Sequence, residues 1–290
     1  MKLPSFDYAS PRTLAEAAAL LAASDGGGKL IAGGQSLMPL LALRLASPSV
    51  LVDLRHVRDM NRIEATADGL RIGAKTRWRD IEGDPALPAA HPLLAAAIPH
   101  VAHYQIRNRG TVGGSLAHAD PAAELPAVAR ALDAEFVVRG PSGERVIPAA
   151  EWFEGFLTTS RRPDELLTEV RFPVAGRGMG ISFQEVARRH GDFAIVGLAA
   201  SLTLSGGAIS DARLAFAGLS DVPVRAGDAE DLLVGERPSA ELFDEAARRA
   251  TDDIDPPADL HGSADYRKQV AAALVRRALR AAADNADERQ

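Results

Sequence analysis

The part of this sequence that most constrains its fold is the stretch TVGGSLAHADP, residues 111–121. An earlier stretch, AGGQSLMP at residues 32–39, repeats its arrangement of two adjacent glycines followed by polar side chains. Glycines lack the Cβ atoms that would block a ligand, so successive backbone N–H groups can point into one concavity that prefers anions. Residues 110–114 contain too much glycine for a regular helix. We therefore predict two anion-binding loops.

Neither glycine motif matches the common phosphate-binding signatures. No Lys-Ser or Lys-Thr follows the glycines, as a P-loop requires, and the Rossmann pattern G-x-G-x-x-G occurs nowhere in the chain. The remaining ligand is the pyrophosphate of a dinucleotide, held by backbone donors and by the hydroxyls of Ser36, Thr111 and Ser115. On the residues alone, two tight turns without any ligand remain an equally good interpretation.

Composition excludes several function classes. The 290 residues carry a net charge of -6, so no basic field favours nucleic acid. The absence of cysteine excludes disulfides, thiolate nucleophiles and cysteine-ligated clusters in this chain. No apolar run approaches the roughly 18 residues of a membrane span, and the start lacks a signal peptide's apolar segment. We expect a cytoplasmic protein with no membrane span.

Hydrophobic periodicity outlines the first part of the chain. It predicts a helix over residues 13–23, followed by strands over residues 29–32 and 50–54 in a βα-type unit. The later pattern predicts strands over residues 69–74, 135–139 and 166–172, and helices over residues 77–84, 93–102 and 126–132.

A flexible joint is predicted at GRGMG, residues 176–180, because three of its five residues are glycine. Beyond it the pattern predicts strands over residues 181–185, 196–204 and 208–217, then helices over residues 228–234, 240–250 and 264–283. Strands followed by helices indicate an α+β fold. We expect two small α/β lobes within residues 1–176, and an antiparallel sheet with a helical bundle within residues 177–290.

The two glycine motifs, with their order and separation, resemble those of the FAD-binding medium subunit of the molybdenum hydroxylases, the family of carbon monoxide dehydrogenase and xanthine dehydrogenase. The resemblance rests on the strings AGGQS and TVGGSLAHADP and extends over nearly the whole chain. It implies FAD as the cofactor. It also implies that residues 1–176 are an FAD-binding domain of the PCMH type and that residues 177–290 are the family's C-terminal flavoprotein domain.

The resemblance implies that residues 32–36 wrap one side of the FAD pyrophosphate and residues 111–115 the other, with Lys29 near the adenosine end. The residues expected to bind the cofactor are Lys29, Ala32, Gly33, Gly34, Gln35, Ser36, Leu37, Val101, Thr111, Val112, Gly113, Gly114, Ser115, Ala117, Asp120, Glu124, Leu167, Gln184 and Phe193.

Five of these residues have implied roles outside the glycine motifs. Glu124 matches a carboxylate near the cofactor, where it can accept hydrogen bonds from hydroxyls. Val101 and Leu167 match apolar positions that border the cofactor. Phe193 matches an aromatic residue that covers the isoalloxazine ring by stacking. Gln184 departs from the pattern, because some relatives carry a lysine there.

The resemblance implies an electron carrier without catalytic or metal-binding residues of its own. Its FAD would receive electrons from [2Fe-2S] clusters in a small partner subunit, with the molybdopterin cofactor in a large one, as a dimer of heterotrimers. Alternatives are a stand-alone FAD-dependent reductase and a flavin-free scaffold. His100, His103 and His118 could suggest a metal site, but we interpret His100 and His103 as loop or surface residues and His118 as part of the flavin motif. We interpret Arg161 and Arg162 as exposed surface charge.

Overall fold

Two hydrophobic cores lie on opposite faces of a four-stranded antiparallel sheet. The computed structural model describes residues 2–176 and 178–287. Arg177, within the predicted joint, lies outside the described residues. Helices and strands both contribute extensively, so the predicted α+β class is confirmed.

The first lobe is a three-stranded parallel sheet with the strand order β1-β3-β2. Its elements are β1 (Asp7–Ala9), α1 (Leu14–Ala23), β2 (Gly28–Ile31), α2 (Leu37–Ala42) and β3 (Val50–Asp53). Helix α1 begins where the Thr13 hydroxyl accepts the N–H of Glu16 at 3.1 Å, an N-cap contact. The predicted βα-type unit is confirmed.

The second lobe is built on a five-stranded antiparallel sheet with the order β4-β5-β10-β6-β7. Its strands are β4 (Ile63–Thr66), β5 (Gly69–Gly73), β6 (Glu135–Gly140), β7 (Gly143–Pro148) and β10 (Leu166–Pro173), with a small hairpin of β8 (Phe153–Gly155) and β9 (Thr158–Thr159). Its helices are α3 (Trp78–Glu82), α4 (Leu87–Ala90), α5 (Pro92–Ala97), α6 (Tyr104–Arg107), α7 (Val112–His118), α8 (Glu124–Ala131) and α9 (Ala149–Trp152).

The prediction that residues 110–114 cannot form a regular helix is wrong, because α7 begins at Val112. The Thr111 hydroxyl caps this helix by accepting the N–H of Gly114 at 3.1 Å. A Cβ atom added at Gly113 would lie 2.4 Å from the Cβ atom of Ala74. Glycine therefore lets α7 approach the end of β5 closely, rather than breaking the helix.

The C-terminal part forms the four-stranded antiparallel sheet and a layer of helices. The strands lie in the order β11 (Met179–Val186), β12 (Val196–Ser205), β13 (Ala208–Ala217) and β14 (Val224–Arg225), and the helices are α10 (Gly227–Leu233), α11 (Ala240–Asp252) and α12 (Ala264–Asp287). Gly206 and Gly207 join β12 to β13 with φ values of 60° and 79°. Positive φ at both positions suits a tight hairpin turn.

Both faces of this sheet are covered, which explains why β12 is buried along most of its length. Phe183 of β11 packs into the core of the first part, whereas a Cβ atom at Gly180 would lie 1.8 Å from the carbonyl oxygen of Ala282 in α12. Successive side chains of a strand point to opposite faces. Odd-numbered residues of β11 therefore face the first part of the chain, and even-numbered ones face the helices.

Candidate cofactor site

A cavity of about 800 Å³ is lined by both lobes of the first part and by residues 191–193 of the C-terminal part. This volume lies toward the upper end of the usual range for ligand pockets. Every residue that the sequence predicts to bind the cofactor lines the cavity, except Val112 and Gln184. The fold thus brings together two motifs that are separated by more than seventy positions along the chain.

The first glycine motif presents unpaired backbone donors to this cavity. Within the part of the chain that the structure describes, the N–H groups of residues 33–36 meet no acceptor. Gly34 has a φ of 74°, a left-handed conformation that favours glycine. The side-chain amide of Gln35 donates to the carbonyl oxygen of Gly33 at 3.2 Å and thereby stabilises the loop. Such a row of donors can bind phosphate oxygens.

The second glycine motif uses its backbone donors within the protein instead. The N–H groups of residues 112–115 donate to the carbonyl oxygens of Thr76, Ala74 and Thr111 and to the Thr111 hydroxyl, over 2.9 to 3.1 Å. The predicted row of free N–H groups is therefore wrong for this motif. What faces the cavity is one side of α7, with Gly114, Ser115 and Ala117.

Two predicted site residues lie elsewhere. Val112 is fully buried on the side of α7 that faces the core, opposite the cavity. The amide of Gln184 donates to the Ser182 hydroxyl at 3.0 Å, on the face of β11 that turns toward the helices. The alternation of side chains along β11 gives Glu185, not Gln184, the orientation toward the first part of the chain.

Carboxyl groups gather beside the second motif. Glu124 begins α8, lines the cavity and is 5% exposed, and this burial, with nearby Asp120, raises its pKa to about 7. Burial and the neighbouring Glu124 raise the pKa of Glu185 to about 8. Burial lowers the pKa of His118, and Asp120 opposes this effect. This side of the cavity disfavours additional negative charge.

Sequence reasoning missed two cations that line the cavity. The Lys75 ammonium donates to the carbonyl oxygens of Arg55, at 3.3 Å, and Val57, and burial lowers its pKa. The interpretation of Arg161 as surface charge is wrong, because its guanidinium is turned inward and donates to the carbonyl oxygen of Arg162 at 2.7 Å. Lys75 follows β5 almost directly, and a polar residue at a strand end is a signal that could have identified it.

The aromatic ring of Phe193 stands at the mouth of the cavity and is 59% exposed. A second cavity of about 700 Å³ shares Phe193, Asp192 and Asp120 with the first. The preceding Gly191 has a φ of 88°, and a Cβ atom there would lie 2.4 Å from Nδ1 of His103. Glycine therefore lets the loop that carries Phe193 pass close to His103 in the first part of the chain.

Residues 2–176 and 178–287 contain no group of three or more His, Cys, Asp or Glu side chains that could hold a metal ion. Across the same residues, no helix is long and apolar enough to cross a membrane. His100 contacts Phe183 at 5.0 Å between ring centroids and stacks near His190 at 6.3 Å.

The fold and this cavity define a two-part α+β protein built to hold a dinucleotide. Residues 4–175 match the family described as "FAD binding domain in molybdopterin dehydrogenase". Residues 181–282 match the family described as "CO dehydrogenase flavoprotein C-terminal domain". The chain belongs to the FAD-binding medium subunits of the molybdenum hydroxylase family, and the predicted resemblance is confirmed.

Similar proteins match over almost their whole length. The chain is 42% identical to the 6-hydroxypseudooxynicotine dehydrogenase complex subunit alpha of Paenarthrobacter nicotinovorans, over 96% of this chain and 95% of that one. A carbon monoxide dehydrogenase structure from Hydrogenophaga pseudoflava matches with a TM-score of 0.95 and 38% identity, covering 97% and 98%. Quinoline 2-oxidoreductase from Pseudomonas putida 86 matches with a TM-score of 0.94 and 39% identity, covering 99% of both chains.

The chain is thus the flavoprotein subunit of an oxidoreductase, and its cofactor is FAD. The residues fit this cofactor, because the cavity has a row of free N–H donors for a pyrophosphate, a buried carboxyl for hydroxyls and an exposed aromatic ring at its mouth. Its relatives are subunits of larger complexes, so partner chains are implied.

Proposed function

We propose that this chain transfers electrons within a molybdenum hydroxylase complex. Its FAD receives electrons from [2Fe-2S] clusters of a small partner subunit, and a large partner subunit holds the molybdopterin cofactor. The observation that carries the proposal is the shared cavity of the two glycine motifs, in a chain without cysteine. Bound flavin supplies the ability to accept electrons singly and to release one or two of them to a terminal acceptor.

The residues of this chain bind and shield the cofactor. The free N–H groups of residues 33–36 bind the pyrophosphate, and the Ser36 and Ser115 hydroxyls donate from either side of the cavity. Glu124 accepts hydrogen bonds from cofactor hydroxyls. Phe193 covers one face of the flavin ring and limits the access of water.

Several cations and apolar side chains complete this binding role. Lys29 lies near the adenosine end, while Lys75 and Arg161 offset the negative charge of the cofactor. Val101 and Leu167 are buried and form part of the apolar wall. None of these residues is proposed to act as a catalytic acid or base.

The substrate of the complex is expected to bind in the large subunit. The names of similar proteins include a nicotine derivative, carbon monoxide and quinoline, although the matched chains align with this one along almost their whole length. The flavoprotein fold is therefore compatible with different substrates. We propose three chain types in a dimer of heterotrimers in the cytoplasm. The two family matches meet between residues 175 and 181, which supports a division near residue 176.

Two measurements test the proposal. The cofactor released from the purified chain by heat and compared with standards is expected to be FAD. The two loops bind a pyrophosphate, and FMN does not contain one. The purified chain with FAD is then mixed with the complex's substrate, with and without co-expressed partners. Bleaching of the flavin is expected only with the cluster-bearing partner present. Bleaching without any partner, checked by mass spectrometry, would contradict the electron-carrier role and favour a stand-alone enzyme.

A further inference from the structure

Two carboxyl groups at the edge of the cofactor cavity, those of Glu124 and Glu185, are shielded from solvent to an extent that cofactor binding alone does not require. Glu124 lines the cavity and is 5% exposed. Glu185 lies behind it on β11, and its Oε2 atom is buried without a hydrogen-bond partner. Within residues 2–176 and 178–287, neither carboxyl group forms a salt bridge. A buried carboxyl and a half-buried one without a cation between them are costly when both are ionised.

Among the residues that the structure describes, the charges that act on this pair come from carboxylates and not from cations. Asp120 precedes Glu124 and adds a further carboxylate, and burial keeps the pKa of His118, at the end of α7, low. On the side of β11, burial and His190 lower the pKa of His100, whose ring contacts Phe183. The neighbouring strand places Gly197 opposite Glu185. Protonation is therefore the available way to reduce the charge of the pair.

We infer that Glu124 and Glu185 hold one proton between them beside the cofactor cavity, and that they take up a second proton when the bound FAD is reduced. This inference rests on the proposed binding of FAD in the cavity. Reduction adds two electrons, supplied by the partner's clusters, and one proton to the flavin, which gains one negative charge. The second proton passes from solvent to the carboxyl pair and neutralises that charge. Glu185 acts through Glu124 and is a positioning residue.

The pKa values of the two carboxyls put the proton uptake in a pH range where it can be measured. Glu124 and Glu185 have pKa values of about 7 and about 8, so the pair is half-protonated between these pH values. A negative charge on the nearby cofactor raises the affinity of the pair for protons further. Reduction between about pH 7.5 and 9 should then take up two protons for two electrons, one on the flavin and one on the pair.

The test is a spectroelectrochemical titration of the full chain with FAD bound, from pH 7.5 to 9. For the wild-type chain, the midpoint potential should fall with pH at the slope of two protons per two electrons. In Glu185→Gln the slope should fall toward half, because the carboxyl with the higher pKa is lost and Glu124, with a pKa of about 7, remains mostly ionised in this range. Glu185→Asp keeps the carboxyl group and should restore the wild-type slope. Glu154→Gln removes an exposed carboxylate and should leave the slope unchanged.

A wild-type slope of one proton per two electrons overturns the inference, whatever the variants do, and so does an unchanged slope in Glu185→Gln. A merely structural role for Glu185 would change the stability of the protein but not this slope. The electrons come from an electrode, so failure of this test leaves the proposed partner role standing. Conversely, a chain that shows the two-proton slope but receives no electrons from a cluster-bearing partner would contradict only the proposed function.

Discussion

The two glycine motifs are alike in sequence, yet they contribute to the cavity in different ways. The first, residues 32–36, is a loop with unpaired N–H groups and a left-handed Gly34. The second, residues 111–115, starts helix α7 and has already used its N–H groups within the protein. Paired glycines thus permit a left-handed backbone conformation in the first motif and close packing of a helix in the second. Each role predicts a different response to mutation.

The contact between the two motifs should give the largest effect. A Cβ atom at Gly33 would lie 2.2 Å from the carbonyl oxygen of Arg109, two residues before the second motif. Gly33→Val should therefore force the motifs apart, and we expect loss of most bound FAD together with a lower melting temperature. Gly155→Val is the matched control, since a Cβ atom there meets nothing within 4 Å. Full FAD occupancy in Gly33→Val would show that the motifs do not depend on this contact.

The two motifs also differ in the charge of their surroundings, because Glu124 and Glu185 lie beside the second motif and not beside the first. Burial raises both pKa values above the ordinary 4.5, so the two carboxyls cost the FAD-free chain no stability below that pH, and part of its free energy of unfolding is lost as pH rises through 7 and 8. We expect Glu185→Gln to reduce the loss between pH 5 and 9 by on the order of 2 kcal/mol, because about three pKa units correspond to about 4 kcal/mol and solvent screening of this half-buried carboxyl roughly halves that value. Urea unfolding at both pH values measures this, and an equal loss in both proteins would contradict it.

The conformational and packing roles can be separated by adding one methyl group to each motif. Gly34→Ala places a side chain at a φ of 74° and should destabilise the FAD-free chain by about 1 to 2 kcal/mol. Gly114→Ala brings a Cβ atom within 2.7 Å of the Thr111 hydroxyl, but alanine favours the helix by about 1 kcal/mol, which offsets the weakened cap. Its methyl group also stands on the cavity face of α7.

Melting temperature without FAD and the dissociation constant for FAD distinguish these two variants. Gly34→Ala should mainly lower the melting temperature, whereas Gly114→Ala should mainly weaken FAD binding. The opposite pattern would mean that the second motif, not the first, depends on glycine for its backbone conformation.

Much of the site could be predicted from the sequence, because residues close to a recognisable motif along the chain stay close to it in the folded protein. Lys29, Ser36, Ser115 and Glu124 all line the cavity. Prediction failed where the answer depends on which way a side chain points. Gln184 and Glu185 are adjacent, and only the pairing of β11 in the sheet decides which of them faces the first part of the chain.

The fold was predictable where periodicity is long and uninterrupted, as in α12 and β12. It was not predictable at α7, because the low helix propensity of two glycines is overridden by the Thr111 cap and by close packing against Ala74. Short elements such as β1 and α2 were missed, since three to six residues carry too little periodicity. The inward turn of Arg161 was not predictable, because its hydrogen bonds to the nearby carbonyl oxygens of Arg162 and Glu165 depend on the conformation of the turn before β10.

The smallest effects should come from the two serine hydroxyls, one in each motif. In the first motif, the N–H groups of residues 33–36 can still hold the pyrophosphate when the Ser36 hydroxyl is removed. In the second, the backbone donors are already paired, so the Ser115 hydroxyl is the donor that α7 offers from this motif to the cavity.

One such hydrogen bond contributes about 0.5 to 1.5 kcal/mol. We therefore expect Ser36→Ala to weaken FAD binding by about threefold or less, and Ser115→Ala by about five- to tenfold. Titration of the FAD-free chain with FAD, followed by flavin fluorescence, gives both dissociation constants. A larger loss in Ser36→Ala than in Ser115→Ala would mean that the loop N–H groups do not hold the pyrophosphate, and the assignment of roles to the two motifs would have to be exchanged.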